Sequence, residues 1–579
     1  MRKQSSAPAS FAARRRPPGR PTHSVGSDHD NGDPRIMTTP SDIVIVGGGH
    51  NGLVAATYLA QAGRSVTVLE RLDHVGGAAV STESFAGVDA RLSRYSYLVS
   101  LLPKRIIREL GLDIRLARRR YSSFTPEPGS DRGLLVDNAD AAATAASFAT
   151  IGASRDHAAW QEFYAGTARL ARTLFPTVCE PLVTREEARR ALADDRLWSS
   201  VIERPIGEAI ESAFTNDLVR GVVLTDALIG TFADAHDATL AANRCFLYHV
   251  IGNETGDWDV PIGGMGAVTT ALADAARRAG ARILTGAEVT SIAPDGEVRY
   301  IAGGHEVVLG ARTVLANVAP WVLDGLVAAG VSTSSTGEGS STGETSHTSR
   351  VEPVETLRTK PEGAQVKVNL MLSRLPRLKD SSIDPAAAFG GTFHINELYT
   401  QLQSAFDAAN DGAVPDPIPA EIYCHSLTDP SILSPGLQAS GAHTITVFAL
   451  HVPDRLLTAE NNDAMRDRLQ SAVLASLDSV LAEPIADVLM TDADGALCVE
   501  TKTTRDLEHA LGMPGGNIFH GPLSWPFAED ETALSTAAER WGVATEWDRI
   551  LLCGSGARRG GAVSGLGGHN AAMAVLEAE

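Results

Sequence analysis

Gly47, Gly49 and Gly52 follow directly on Ile43-Val44-Ile45-Val46, an order of residue types suited to holding a dinucleotide. The β-branched run reads as a strand buried in a parallel sheet. Gly47 permits a tight turn, Gly49 lets the main chain approach a pyrophosphate, and Gly52 lets the next helix pack on the sheet. That helix, expected from Leu53 to about Ala62 with Gly63 as its stop, points its N–H groups and positive dipole end at the phosphates. A second strand, Ser65–Leu69, ends on Glu70, an acid placed to accept hydrogen bonds from a ribose.

Arg71 comes next, and Gly76-Gly77 stands a few residues further on. A glycine pair just past the acidic strand end resembles the extended fingerprint of FAD enzymes of the glutathione-reductase-like and amine-oxidase-like superfamily. There the extra glycines line the pyrophosphate and flavin; the plain alternative is an ordinary turn. The far end of the chain has a matching pattern. A strand at Arg549–Cys553 enters a loop, 554–568, that is rich in glycine, and a helix runs from about His569 to Leu576. Between strand and helix, such a loop suits close wrapping around a ligand. The helix start would put partial positive charge near the flavin N1–C2=O region.

The chain that must position these residues has 579 of them and a formal net charge of -20, which works against non-specific attraction to nucleic acid. No apolar run approaches the roughly 20 residues of a membrane span. Cys179, Cys245, Cys424, Cys498 and Cys553 contain no CxxC pair. They suit core packing in a reducing compartment, so a cytoplasmic protein with no metal site is expected. Residues 1–40 read as a disordered leader. The Arg- and Ser-rich, acid-poor start also fits a mitochondrial import signal, but Pro17, Pro18 and Pro21 work against the amphipathic helix this needs.

Four stretches carry a wider resemblance: GGGHNGLVAATYLAQAG, LERLDHVGGAA, VPIGGMGAVTTALADAARRAGARI and GSGARRGGAVSGLGGHNAA. Together they resemble the phytoene-desaturase-type carotenoid oxidoreductases. The nearest branch is that of pyridine nucleotide-disulfide oxidoreductase domain-containing protein 2 and the bacterial carotene ketolases. The resemblance implies FAD held by Gly47, Gly49, Gly52, Glu70, Gly76 and Gly77, with Arg71 beside them. It also implies adenine contact through the Val289 backbone, and Gly554 and Gly565 flanking the flavin. The sequence departs from the pattern at Arg558-Arg559, where the family often has His-Pro, and at His569, where an Arg is common. Two guanidiniums there would either favour a polar or anionic substrate or face solvent.

The implied architecture is α/β, with a discontinuous Rossmann-like FAD-binding domain over 41–95, 258–325 and 545–579. Residues 96–257 and 326–544 would form an α+β substrate domain, with a disordered Ser/Thr/Gly/Glu-rich insert at 331–363. Trp160, Phe163 and Tyr164 are spaced for one helix face, and a strand pair is expected over Glu288–Leu309. Strands are also expected at Gln365–Leu372 and His443–Val452. Leu98–Arg120 mixes apolar and basic residues; such a segment either docks on lipid or lies solvated. His520, in a short family motif, and His50 are candidate polar groups near the flavin or plain structural histidines. No second nucleotide loop follows a strand, so no NAD(P)H domain is expected.

The function implied is FAD-dependent dehydrogenation or desaturation of a lipophilic, carotenoid- or isoprenoid-like substrate, with oxygen or a quinone-like electron acceptor. A regulatory flavin-binding protein and an amine-oxidase-like enzyme are the alternatives. An aromatic content of 5% speaks against the aromatic cage of the latter.

Overall fold

A computed structural model describes residues 36–37, 40–334 and 359–579. The expected leader lies almost wholly outside these residues, as does the middle of the expected insert, 335–358. The flanks of that insert are ordered parts of the fold. The helix Pro320–Ser334 runs through its start, and Lys360 at its end donates to Glu508 at 2.7 Å.

Ser41–Val46 is a strand whose last four residues are buried, as an all-apolar run between two covered faces must be. It pairs in parallel with Val66–Leu69 on one side and with the end of His305–Ala316 on the other. Arg282–Leu284 and Ile550–Leu552 extend this parallel sheet. Ala287–Ile292 and Glu297–Ala302 add an antiparallel meander onto His305–Ala316, and Ile36–Met37 completes eight strands. The expected strand pair over 288–309 is therefore three strands. The third continues to Ala316 because Val314, Leu315 and Ala316, each at 0% exposure, fill the sheet centre.

The helix His50–Gln61 packs against both Met265–Ala279 and Leu566–Ala578. It begins three residues before the expected Leu53, since the chain is already turning after Gly49. The C-terminal helix likewise starts at Leu566 rather than His569. The two helices approach so closely that a Cβ on Gly568 would lie 1.9 Å from the Asn51 carbonyl oxygen.

A second sheet has seven strands in the order Val499–Lys502, Val366–Leu372, His443–Ala449, Ala420–Tyr423, Thr392–Ile395, Tyr121–Pro126, Gly133–Asp137. Along Val366–Leu372 the side chains alternate: Val366, Val368, Leu370 and Leu372 join the apolar core, while Lys367 and Asn369 reach the main chain of 93–95 on the other face. Ser154–Leu174 carries Trp160, Phe163 and Tyr164 on one face; the Trp160 and Tyr164 rings stand 4.5 Å apart.

The stretch 98–120 is not one helix. Pro103 and the left-handed Gly111 bracket the short helix Lys104–Glu109. Three of the six arginines in 98–120 are matched by acids: Arg105 with Glu109 and Glu180, Arg118 with Asp257, Arg120 with Asp137. Among the described residues no helix is long and apolar enough to cross a membrane.

Candidate functional site

Between the two sheets lies one cavity of about 750 Å³. At one end its wall is formed by Gly47, Gly49, Glu70, Arg71 and Gly77, with Ala287, Glu288 and Val289 opposite. Glu70 is 9% exposed and held by the main chain: Oε2 accepts the Gly48 N–H at 2.7 Å and Oε1 accepts the Leu72 N–H at 2.8 Å. The Gly76 N–H donates to the Gly48 carbonyl at 3.0 Å, so the two glycine segments are zipped together. The strand bearing Val289 has a bulge between Val289 and Ser291, which turns its backbone out of regular pairing. Arg71 donates to the Ala510 carbonyl at 3.0 Å on the rim.

Gly52, Gly76, Gly554 and Gly565 stand behind the wall rather than in it. A Cβ on Gly52 would lie 2.4 Å from the Gly47 carbonyl oxygen, which only glycine avoids. Gly565 packs against Val54, Leu102 and Ile106 and sets the left-handed start of the last helix. One residue absent from the sequence expectations holds this end together. Asn317 donates through Nδ2 to the Gly47 carbonyl at 2.8 Å, and its Oδ1 faces Gly554. Its signal was available: it is the first polar residue after a buried parallel strand, where such sheets carry their sites.

In the middle of the cavity, His50 contacts the Ala562 carbonyl at 3.2 Å and so bridges the first and last glycine loops. His520 has a left-handed backbone, lies on the wall, and its Nδ1 has no hydrogen-bond partner. Burial pushes both rings down to about 4, so both are neutral. Arg558 and Arg559 do neither of the things expected of them. Arg559 is 2% exposed and donates to the carbonyls of Thr177, Glu180 and Trp541, while Arg558 donates to that of Phe527. Carbonyls from distant segments capture both side chains away from the cavity, with Arg559 buried and Arg558 half-buried. His569 is buried against Asn570 and edge-on to Tyr58.

The far end is lined by aromatic and ionisable side chains. The Tyr97 and Tyr423 rings stand 4.6 Å apart, with Trp160, Tyr164, Tyr248 and Phe448 on the same wall. The Tyr423 hydroxyl donates to Glu421 Oε2. His394 Nε2 is 4.0 Å from Glu421 Oε1, and its Nδ1 is 3.7 Å from Glu397. Burial pushes Glu421 up to about 7, against the pull of Tyr423 and Arg119. Burial, then the Glu421 charge, pushes Asp226 up to about 8.

Two cations share the wall. Arg119 donates to Trp258 and Thr392, and Lys367 donates to the Ser93 and Tyr95 carbonyls with its Nζ 4.7 Å from the Tyr97 ring centre. Desolvation holds the Lys367 amine well below its usual range. None of these groups stood out in the sequence, because Tyr97, Asp226, Lys367 and Glu421 come from four separate stretches with no common spacing.

Residues 45–103 match the family model of an NAD(P)-binding Rossmann-like domain. The uncharacterized protein Rv0897c of Mycobacterium tuberculosis is 52% identical over 560 residues, covering 95% of this chain and 98% of that one. Pyridine nucleotide-disulfide oxidoreductase domain-containing protein 2 of Rattus norvegicus is 28% identical, covering 92% and 93%. Among solved structures, wild-type putrescine oxidase bound to putrescine aligns with a TM-score of 0.52 at 15% identity, over 94% of this chain and all of that one. Cyclohexylamine oxidase from Brevibacterium oxydans aligns with a TM-score of 0.50 at 13% identity, over 93% and 100%. At those identities the shared property is the fold.

Proposed function

The chain belongs to the same family as the mycobacterial protein Rv0897c, among the FAD/NAD(P)-binding oxidoreductases, and from that premise we propose an FAD-dependent oxidoreductase that takes hydride from a substrate C–H bond. The observation that carries this reading is the single cavity that joins a dinucleotide cradle to an aromatic, ionisable chamber. The residues present fit FAD: the glycine segments are backbone-lined, and the buried Asn51 Oδ1 has no partner among the described residues. Gly47, Gly49 and Gly77 would hold the pyrophosphate, with Gly76 supporting them from behind, and Glu70 the ribose. The Val289 backbone would hold the adenine, and the 554–565 loop the flavin. Bound FAD supplies a two-electron acceptor. The protein's part is to orient the donor between Tyr97, Tyr423 and His520 and to keep water out by the aromatic wall.

An amine-oxidase-like donor fits this chamber better than a carotenoid. A polyene needs an apolar tunnel, whereas this wall carries the carboxyls of Asp226 and Glu421, the guanidinium of Arg119 and the amine of Lys367 among its ionisable groups. The low overall aromatic content was misleading, because six of the nine tyrosines line this cavity. The fold shared with putrescine oxidase and cyclohexylamine oxidase supports the same reading. Oxygen or a quinone-like compound would reoxidise the cofactor. Anaerobic flavin photometry against matched panels of amines and polyenes tests the proposal. Bleaching by amines is expected; bleaching by polyenes alone would restore the carotenoid-like donor, and no bleaching by either would favour a structural role for FAD.

A further inference from the structure

We infer that Asp226 and Glu421 seat a substrate ammonium group, and that one of them takes the proton which the amine must lose before its neighbouring C–H bond can give up hydride. This rests on reading the chamber as the donor site. The two carboxyls come from different elements, the turn after helix Asp217–Thr225 and the strand Ala420–Tyr423, yet both line the same cavity. Tyr423 fixes one oxygen of Glu421 and leaves the other free towards the chamber, 4.0 Å from His394. Burial and the Glu421 charge are what act on Asp226; among the described residues no hydrogen bond or cation supports its carboxyl.

Behind them Glu397, 1% exposed, has neither carboxylate oxygen hydrogen-bonded. Asp226 and Glu421 thus line, and buried Glu397 backs, a region whose basic side chains are already engaged, Arg119 by Thr392 and Trp258, and Lys367 by Ser93 and Tyr95. Buried carboxyls in such surplus are stabilised by an incoming cation. The faces of Tyr97, Tyr423 and Tyr164 add favourable quadrupole contact to an ammonium and none to a neutral isostere. An ammonium has no free pair on nitrogen to assist hydride loss. The balanced step is a proton transfer: the N–H bond breaks, an O–H bond forms on Asp226 or Glu421, and the electron pair stays on nitrogen.

The charged and titratable groups facing the pair are Arg119, His394, Glu397, Tyr97, Tyr423, Tyr164 and Cys245. His394 is held down to about 3 and stays neutral. Cys245 is pushed up to about 12, and the three tyrosines are raised well above their ordinary range, so these four groups stay protonated. The acids are therefore the groups that change charge near neutral pH.

Isothermal titration calorimetry of the full chain with benzylamine and with benzyl alcohol tests this without turnover, flavin content being measured separately. At pH 8 benzylamine should bind at least about tenfold tighter than the alcohol, equivalent to roughly 1.4 kcal/mol. That preference should shrink as pH falls below about 7, where Glu421 and Asp226 are protonated, while the alcohol stays flat. Asp226→Asn and Glu421→Gln should each cut the preference about tenfold and leave alcohol affinity unchanged. If a variant melts early, the pH profile of the parent chain decides alone. Equal affinity for both probes at pH 8, or a preference independent of pH, would overturn the inference. Amine preference in a chain that takes up no FAD would leave the inference standing and sink the cofactor assignment instead.

Discussion

Asn317 Nδ2 donates to the Gly47 carbonyl oxygen at 2.8 Å and thereby ties the end of the central strand His305–Ala316 to the first turn of the glycine loop. The same amide fills the space left by the missing Cβ atoms of Gly52 and Gly554. Through this side chain the N-terminal and C-terminal loops share a support.

Asn317→Leu removes that donor and presses a branched carbon against the Gly47 carbonyl. A lost hydrogen bond to a buried carbonyl costs about 1–3 kcal/mol. FAD affinity should fall about tenfold or more, measured by fluorescence titration of apoprotein, while circular dichroism keeps the parent spectrum.

Glu70 accepts two backbone N–H groups with its two oxygens, from Gly48 and Leu72. In Glu70→Gln one of those N–H groups meets an NH₂ instead, donor against donor. FAD affinity should drop about tenfold, from roughly 1–2 kcal/mol, and the ribose-free analogue FMN should show a smaller change. Equal losses for both ligands would place Glu70 outside the ribose site.

The Asp226 carboxyl, pushed up from an ordinary 3.8 to about 8 by burial and the Glu421 charge, is protonated in the fold at pH values where the unfolded chain has released that proton. The native state then binds more protons than the unfolded one, so this group's contribution to stability falls as pH rises from about 4 to about 8. Asp226→Asn removes that loss. Urea melts should show the variant more stable than the parent at pH 8 by on the order of 2 kcal/mol, and equal to it near pH 4.

Arg559 donates to three main-chain carbonyls from two distant segments. Arg559→Lys cannot satisfy all three at once and should cost about 2–4 kcal/mol of stability. Because the side chain lies outside the cavity wall, ligand preference should not move; a change in amine-versus-alcohol preference would contradict its placement.

The dinucleotide half of the site was legible because its logic is local. A β-branched run, three spaced glycines and a strand-end acid all fall within 41–77, and each had one structural use. The closing loop was legible for its glycines but not for Arg558-Arg559, since the carbonyls that capture Arg559 belong to Thr177, Glu180 and Trp541. In the substrate half the strands and the Trp160, Tyr164 and His520 positions were legible, but the ionisable cluster was not. Asp226 sits just past a helix end and Glu421 in a short strand, and only the pairing of Thr392–Ile395 with Ala420–Tyr423 brings Glu397 and Glu421 together. Composition averaged away the aromatic wall, which is a local property of the cavity.

Anaerobic titration of the FAD-reconstituted chain with an amine panel, followed through the flavin absorbance band, tests the central claim most directly. The account predicts one FAD per chain and full bleaching by at least one amine, with Glu421→Gln slowing that reduction at least about tenfold. A chain that takes up no FAD, or one that stays fully oxidised with every amine, would contradict it.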